Sequence, residues 1–231
     1  MLLALALLAI TWPSAGAPST RTSAQTKKEP GRRPELVARL GHTDTVRAIA
    51  TTPDGKLLAS AGGDQDRRVL LWNVETGQQL RQLSGGAATT SSLAFTPDGK
   101  LLVAGGSDGS IRLLDVRTGA DARVLFGHQG PVVSVAVSAD GTTLASGSGD
   151  ATVRLWDLTT GRSIEELRGH AAGVNAVAIA PDGSTIVSGS ADRTVKIWER
   201  KSGRTVRTLE GHRDFVNAVA VSPDGSLLAS G

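Results

Sequence analysis

Residues 127–168 read GHQGPVVSVAVSADGTTLASGSGDATVRLWDLTTGRSIEELR, and four strand-sized segments can be marked off in them. Gly127-His128 opens the stretch. Pro131 to Val137 is a β-branched run, expected to form a strand. Ser138-Ala139-Asp140-Gly141 follows, and Asp-Gly between two apolar runs is a strong hairpin signal. Thr142 to Gly147 is expected as a second strand. A loop through Ser148, Gly149 and Asp150 leads to Thr152–Leu158, whose alternation predicts a third strand. Thr160-Gly161 makes the next turn, and Ser163–Leu167 supplies the fourth strand. Four short antiparallel strands in one period are the unit of a β-propeller blade.

The period extends along the chain. Gly-His stands at Gly41-His42, Gly127-His128, Gly169-His170 and Gly211-His212, and Gly85-Gly86 takes the remaining place. Units therefore start near 41, 85, 127, 169 and 211. Self-similarity at 40–45 residues marks a repeat architecture, in which neighbouring units bury one another's apolar faces. Asp-Gly recurs in phase, with Asp54, Asp98, Asp140, Asp182 and Asp224 expected in turns. The fifth unit stops at Leu228-Ala229-Ser230-Gly231, in its second strand. Glu35 to Leu40 reads as a fourth strand with no first three before it. The expected fold is an all-β propeller with four complete blades and a truncated fifth. The expectation is a piece of a larger ring, with seven blades as its size; a five-bladed ring with a defective closure is the alternative.

These units resemble the WD-repeat (WD40) family, whose signature is Gly-His near the start of a unit and Trp-Asp near its end. The matching pairs are His42 with Trp72-Asn73, His128 with Trp156-Asp157, and His170 with Trp198-Glu199. The first unit is two residues longer, in the Gly62–Arg68 loop. The resemblance covers residues 35–231. It implies a hydrogen-bonded quartet in each blade: Asp to His, His to a second-strand Ser, and Ser to the Trp indole. The quartets implied are His42, Ser60, Asp66 and Trp72; His128, Ser146, Asp150 and Trp156; His170, Ser188, Asp192 and Trp198. The second unit has Gly86, Ala104 and Leu114 where His, Ser and Trp would stand, and keeps Asp108. An apolar substitute and a less firmly pinned blade are expected there.

This assignment bears on chemistry. All four histidines lie in Gly-His pairs. Ser146, His128 and Asp150 have the residue types of a nucleophilic triad, but such a trio repeated with a Trp in blade after blade is a structural device. Cysteine is absent and no histidine is spare, so no metal site and no cofactor are expected. The chain is not expected to be an enzyme. In this family the loops joining fourth strand to first, and second to third, gather on one face. The candidates there for partner binding are Arg67, Arg68, Arg193, Arg213 and Phe215, because arginine and aromatic residues are enriched in interface hot spots. The expected function is a non-catalytic scaffold for protein or peptide partners. The alternative is a targeting module of a larger enzyme whose catalytic domain lies elsewhere.

The net charge of +3 does not point to nucleic acid. Residues 18–40 hold Arg21, Lys27, Lys28, Arg32, Arg33 and Arg39 against Glu29 and Glu35, whereas residues 41–231 hold 19 basic and 20 acidic side chains. Phosphate binding needs a basic patch on the folded face, not in a tail. Leu2 to Ile10 is an unbroken apolar run, too short to span a bilayer, which takes about 20 helical residues. Its length suits a secretory signal peptide. Residues 1–24 are read as that signal, cut after Ala17 or Ala24, although no Lys or Arg precedes the run. Residues 25–34 are read as a basic, polar linker, leaving a mature chain without a membrane segment and a secreted or periplasmic location.

Overall fold

The structure is a computed structural model that describes residues 41–83 and 88–231. The expected signal peptide, the linker, the strand Glu35–Leu40 and the Gly85-Gly86 pair lie outside the described residues. Eighteen strands are described, and no helix. The first sheet comprises β1 (Val46–Thr51), β2 (Leu57–Gly62), β3 (Val69–Asn73) and β4 (Gln79–Leu83). The second comprises β5 (Thr90–Phe95), β6 (Leu101–Gly106), β7 (Ile111–Asp115) and β8 (Asp121–Leu125). The third has β9 (Val132–Val137), β10 (Thr143–Ser148), β11 (Thr152–Asp157) and β12 (Ser163–Arg168). The fourth has β13 (Val174–Ile179), β14 (Thr185–Ser190), β15 (Val195–Glu199) and β16 (Thr205–Leu209). The fifth unit contributes two strands, β17 (Val219–Val221) and β18 (Leu228–Ser230). Each sheet is an antiparallel meander in chain order, and the first strands of successive sheets are neighbours. These are blades set side by side along their first strands.

Turn chemistry fixes each hairpin between first and second strands. Asp140 Oδ1 accepts the Thr142 backbone N–H at 2.9 Å and the Ser138 hydroxyl at 2.5 Å, while Gly141 takes φ 71°. Those bonds, the Ser138 hydroxyl foremost, hold the Asp140 carboxyl at about 2. Asp54, Asp98 and Asp224 repeat the arrangement with Thr52, Thr96 and Ser222. Two bulges recur in every complete blade. One lies near the start of the first strand, and the other at the Trp position of the third, between Leu71/Trp72, Leu113/Leu114, Leu155/Trp156 and Ile197/Trp198. A bulge bends its strand and re-aims a side chain, and here it does so at the residue that plugs the space between blades.

The core consists of the interfaces between blades. Ala59, Ala61, Val69, Leu71 and Leu83 of the first blade meet Leu93, Phe95, Leu102, Leu114 and Val116 of the second. Val103, Ile111, Leu113 and Leu125 meet Val132, Val135, Leu144, Trp156 and Leu158. Ala145, Val153, Leu155 and Leu167 meet Val174, Val177, Ile186 and Trp198. Where no preceding blade is described, the same positions are open. Val46 is 52% exposed, against 0% for Val132 and Val174, and Ile49 is 65% exposed against 7% for Val135 and Val177.

Close approach of blades depends on one small residue. A Cβ on Gly105, Gly147 or Gly189 would sit 2.6–2.8 Å from Cγ1 of Val132, Val174 or Val216 at the start of the next unit. At the first interface the small residue is Ala61, and Thr90 stands where those valines do. Overpacking of this kind typically costs about 1–3 kcal/mol. Gly147→Ala should therefore destabilise the chain by about that amount. Combined with Val174→Ala, the loss should be smaller than the sum of the two single losses. Urea denaturation of the four proteins in the cycle is the check, and strict additivity would contradict the packing described.

Candidate interaction face and its polar quartets

The loops from fourth to first strand and from second to third strand are tied to each other by side chains. In the third blade, His128 Nδ1 lies 2.9 Å from Asp150 Oδ2 and Nε2 lies 2.8 Å from Ser146 Oγ, while Trp156 Nε1 donates to the same Oγ at 2.8 Å. In the fourth, His170 meets Asp192 at 2.7 Å and Ser188 at 2.8 Å, and Trp198 donates to Ser188 at 2.8 Å. In the first, His42 pairs with Asp66 and lies 2.7 Å from Ser60, to which Trp72 donates at 2.7 Å. The structure thus brings together all twelve residues in their three sets.

The donor inventory orders each network. The indole can only donate, so Ser Oγ accepts from it and turns its own hydrogen to the imidazole Nε2. That nitrogen must then be bare, and Nδ1 carries the hydrogen given to the carboxylate. Every atom is satisfied with a neutral imidazole. Burial depresses the pKa of His128 and of His170, and the carboxylate beside each offsets only part of that. Burial works against the Asp150 charge as well. The Thr152 hydroxyl, the Gln129 N–H and the His128 ring outweigh it and hold this carboxyl at about 2. Asp192 is held well below the usual carboxylate range in the same way, by Thr194, the Ala171 N–H and His170 against the cost of burial. The Ser146 and Ser188 side chains are fully buried, with the hydroxyl oxygen occupied by an indole. No substrate reaches either as a nucleophile.

Sequence reasoning missed the fifth partner. In three blades the residue two after the phased Asp gives a hydroxyl to Oδ1: Thr152 and Thr194 at 2.7 Å, and Ser110 to Asp108 at 2.6 Å. In the first blade Arg68 stands there. It pairs with Asp66 through Nε and donates to the Gly41 carbonyl from Nη2 at 2.8 Å. Aligning the units on their Asp, rather than on Gly-His, would have exposed the match. The second blade does without a quartet. Ala104 and Leu114 are buried in the first inter-blade cluster. Its loops are tied instead by Thr89, which exchanges backbone and hydroxyl bonds with Ser107 and donates to Asp64 of the first blade at 2.8 Å. Asp64 also meets Arg47 at 2.7 Å. It belongs to the longer loop of the first unit, which therefore works as a strap between two blades.

The five candidates for partner contact occupy distinct settings. Arg68 is committed to its quartet. Arg67 has φ 52° and donates from Nε to the Asp64 carbonyl at 2.9 Å. Arg193, with φ 70°, is exposed, and its guanidinium makes no hydrogen bond or ion pair among the described residues. Arg213 is exposed, and Phe215 is 56% exposed. The backbone N–H groups of Arg193 and Val216 converge on one carbonyl, that of Ser190, at 3.1 and 3.0 Å. Arg193 and Phe215 consequently flank the same point. A left-handed non-glycine residue costs about 1–2 kcal/mol and tends to mark functional positions. Arg67, Ala151 and Arg193 all show it immediately after a quartet Asp. Among the described residues no group of three or more His, Cys, Asp or Glu side chains is placed to hold a metal ion, and no helix is long and apolar enough to cross a membrane.

The quartets give stability a defined pH dependence. In the folded chain His128 and His170 bind protons less readily than at their ordinary 6.5. The unfolded chain therefore gains protons first as pH falls, and stability present above pH 6.5 is lost below it. Asp150, at about 2 against an ordinary 3.8, adds stability above pH 3.8 that disappears as pH falls toward 2. Scanning calorimetry should show a melting temperature that declines below pH 6.5 and again below pH 4. A rise between pH 6.5 and 5 would contradict the neutral networks.

Comparison with known proteins agrees with this geometry. The model of the WD domain, G-beta repeat (WD40) matches five times, over residues 34–73, 77–115, 119–157, 161–199 and 203–231. A search of curated proteins returns no match. WD40 repeats generally serve as protein-interaction scaffolds and are generally non-catalytic. Five matched repeats, the last of them short, on four-stranded antiparallel blades make this chain a member of the WD40 repeat family.

Proposed function

We propose that this chain is a non-catalytic scaffold that holds a protein or peptide partner against the loop face, centred on Arg193 and Phe215. The observation that carries the reading is the convergence of their two loops on the Ser190 carbonyl. It sets an unpaired guanidinium and an exposed aromatic ring on a face that the His170 quartet holds rigid. Preorganised arginine and aromatic anchors cost little entropy to order, which is the character of an interface hot spot. Arg213 adjoins this pair, and Arg67 occupies the corresponding left-handed position over the first blade. The charge of Arg193 favours an acidic surface or segment on the partner.

The double variant Arg193→Glu/Phe215→Ala tests this. Both side chains are exposed, so the melting temperature should stay that of the parent. Affinity capture followed by rebinding of each purified captured protein should show the parent's partner lost. A variant that binds the same partner with the same affinity would refute the loop-face reading.

We further propose that the chain acts outside the cytoplasm. The apolar run Leu2–Ile10, followed by the small residues Ala15-Gly16-Ala17, supports this reading. N-terminal sequencing of the protein from the extracytoplasmic fraction should begin at Pro18 or Gln25. Recovery only in the cytosol, with Met1 or Leu2 at the N-terminus, would reject export.

A further inference from the structure

A groove lies between the first and second blades, at the strand ends opposite the loop face. It is bounded by the fourth strand of one blade and, in the next, by the first hairpin and the turn from third to fourth strand. It holds about 530 Å³, and Leu71, Leu80 and Val116 form its apolar lining. Leu71 and Val116 are buried, whereas Leu80, on β4, is 47% exposed. Both blades are described from first strand to fourth, so each has the neighbour that the repeat gives it on this side.

The rim of the groove is cationic. Arg81, Lys100 and Arg117 stand around the apolar lining with Asp115 as the one carboxylate among them. All three cations are exposed. The Arg81 guanidinium donates to the Arg117 carbonyl, which holds these two residues together. Lys100 meets Asp98 at 3.5 Å in an exposed pair, which is worth little. Asp115 is turned to its own loop, where it accepts from the Thr118 N–H at 2.6 Å and hydroxyl at 2.9 Å.

The other interfaces provide the contrast. Between the third and fourth blades a groove of about 530 Å³ has Ile164 in the place of Leu80. There Glu165 stands where Arg81 does, Ser184 where Lys100 does and Glu199 where Asp115 does, while Lys201 keeps the place of Arg117. Arg200, in the place of Val116, is committed to the Gly183 carbonyl at 3.3 Å and to the Thr143 hydroxyl. Between the second and third blades Ala122, Thr142 and Thr159 replace Leu80, Lys100 and Arg117. Of the three interfaces between complete blades, only the first joins an apolar lining to three cations.

We propose that this groove is a second docking site, for an acidic segment of a partner polypeptide that carries a bulky apolar side chain between carboxylates. The apolar side chain packs on Leu71 and Val116 beside Leu80, and the carboxylates accept from Arg81, Lys100 and Arg117. Charge complementarity selects this occupant. The chain's own residues 18–40, with six basic side chains against two acidic, carry the charge of the rim and are repelled by it. The site lies at the opposite ends of the strands from Arg193 and Phe215, so each reading can fail without the other.

Selection of random short peptides on the full chain is the test. Enriched peptides should carry acidic residues on both sides of a Leu, Ile, Met or Phe, and their binding should weaken as salt rises. Arg81→Glu/Arg117→Glu and, separately, Leu80→Ser should each weaken binding on the order of tenfold or more. All three positions are exposed, so both variants should melt like the parent. Arg193→Glu/Phe215→Ala should bind these peptides as the parent does. Failure to enrich acidic-apolar sequences would overturn the proposal, as would binding that survives both groove variants or replacement of the peptide's apolar residue by Gly. A photocrosslinking residue at position 80 identifies the occupant. It should join to the bound peptide; a crosslink to the chain's own residues 18–40, or to a second copy, that the peptide does not displace would equally overturn the proposal.

Discussion

A four-stranded sheet with two apolar faces needs a neighbour on each, and the rest of the chain follows from that need. No sheet here has a core of its own; the clusters of buried residues all span two blades. Burial at roughly 25 cal/mol per Å² makes such faces strongly cohesive when paired and costly when open. The contrast between Val46 and Val132, the same position without and with a described blade before it, shows how completely one neighbour decides exposure. The glycine of the second strand serves the same end, since it lets the next first strand come close enough for its valine to fill the gap.

The quartets address a different problem. Packing sheets against one another buries indole, imidazole and hydroxyl groups that would each cost about 1–3 kcal/mol if left unpaired. One directional chain from indole to hydroxyl to imidazole to carboxylate satisfies them all, and in doing so fixes the loops above the sheet. A scaffold benefits from that rigidity, because a partner then meets a preformed surface. The second blade shows that the device is dispensable. Ala104 and Leu114 remove the polar groups instead of pairing them, and Thr89 with Ser107 and Asp64 takes over the tethering of the loops.

Much of this was legible before any coordinates. Strand runs, Asp-Gly turns and the spacing of His, Ser, Asp and Trp are local or strictly periodic, and repetition lets one unit check another. In the third unit the expected and observed strands differ by no more than one residue at an end. Arg68 was not legible as a quartet member, because its exposed-looking Arg-Arg setting hides an inward turn made by the longer first loop. Asp64 was invisible for a related reason. Its partners Arg47 and Thr89 lie on two different blades, and no spacing rule links an inserted residue to either. The grouping of Arg193 with Phe215 depended on a shared backbone carbonyl, which side-chain patterns do not encode.

The sequence by itself determined the repeat, the order of strands within a blade and the residues of each polar network. These properties depend on alternation, turn chemistry and a fixed offset between partners, all of which a linear string carries. Only the tertiary structure decided which faces are covered and which arginines are committed. Those properties depend on what stands across a gap from each side chain. Two positions with the same place in the repeat, Val46 and Val132, are 52% and 0% exposed, because a described blade lies over the second and not over the first.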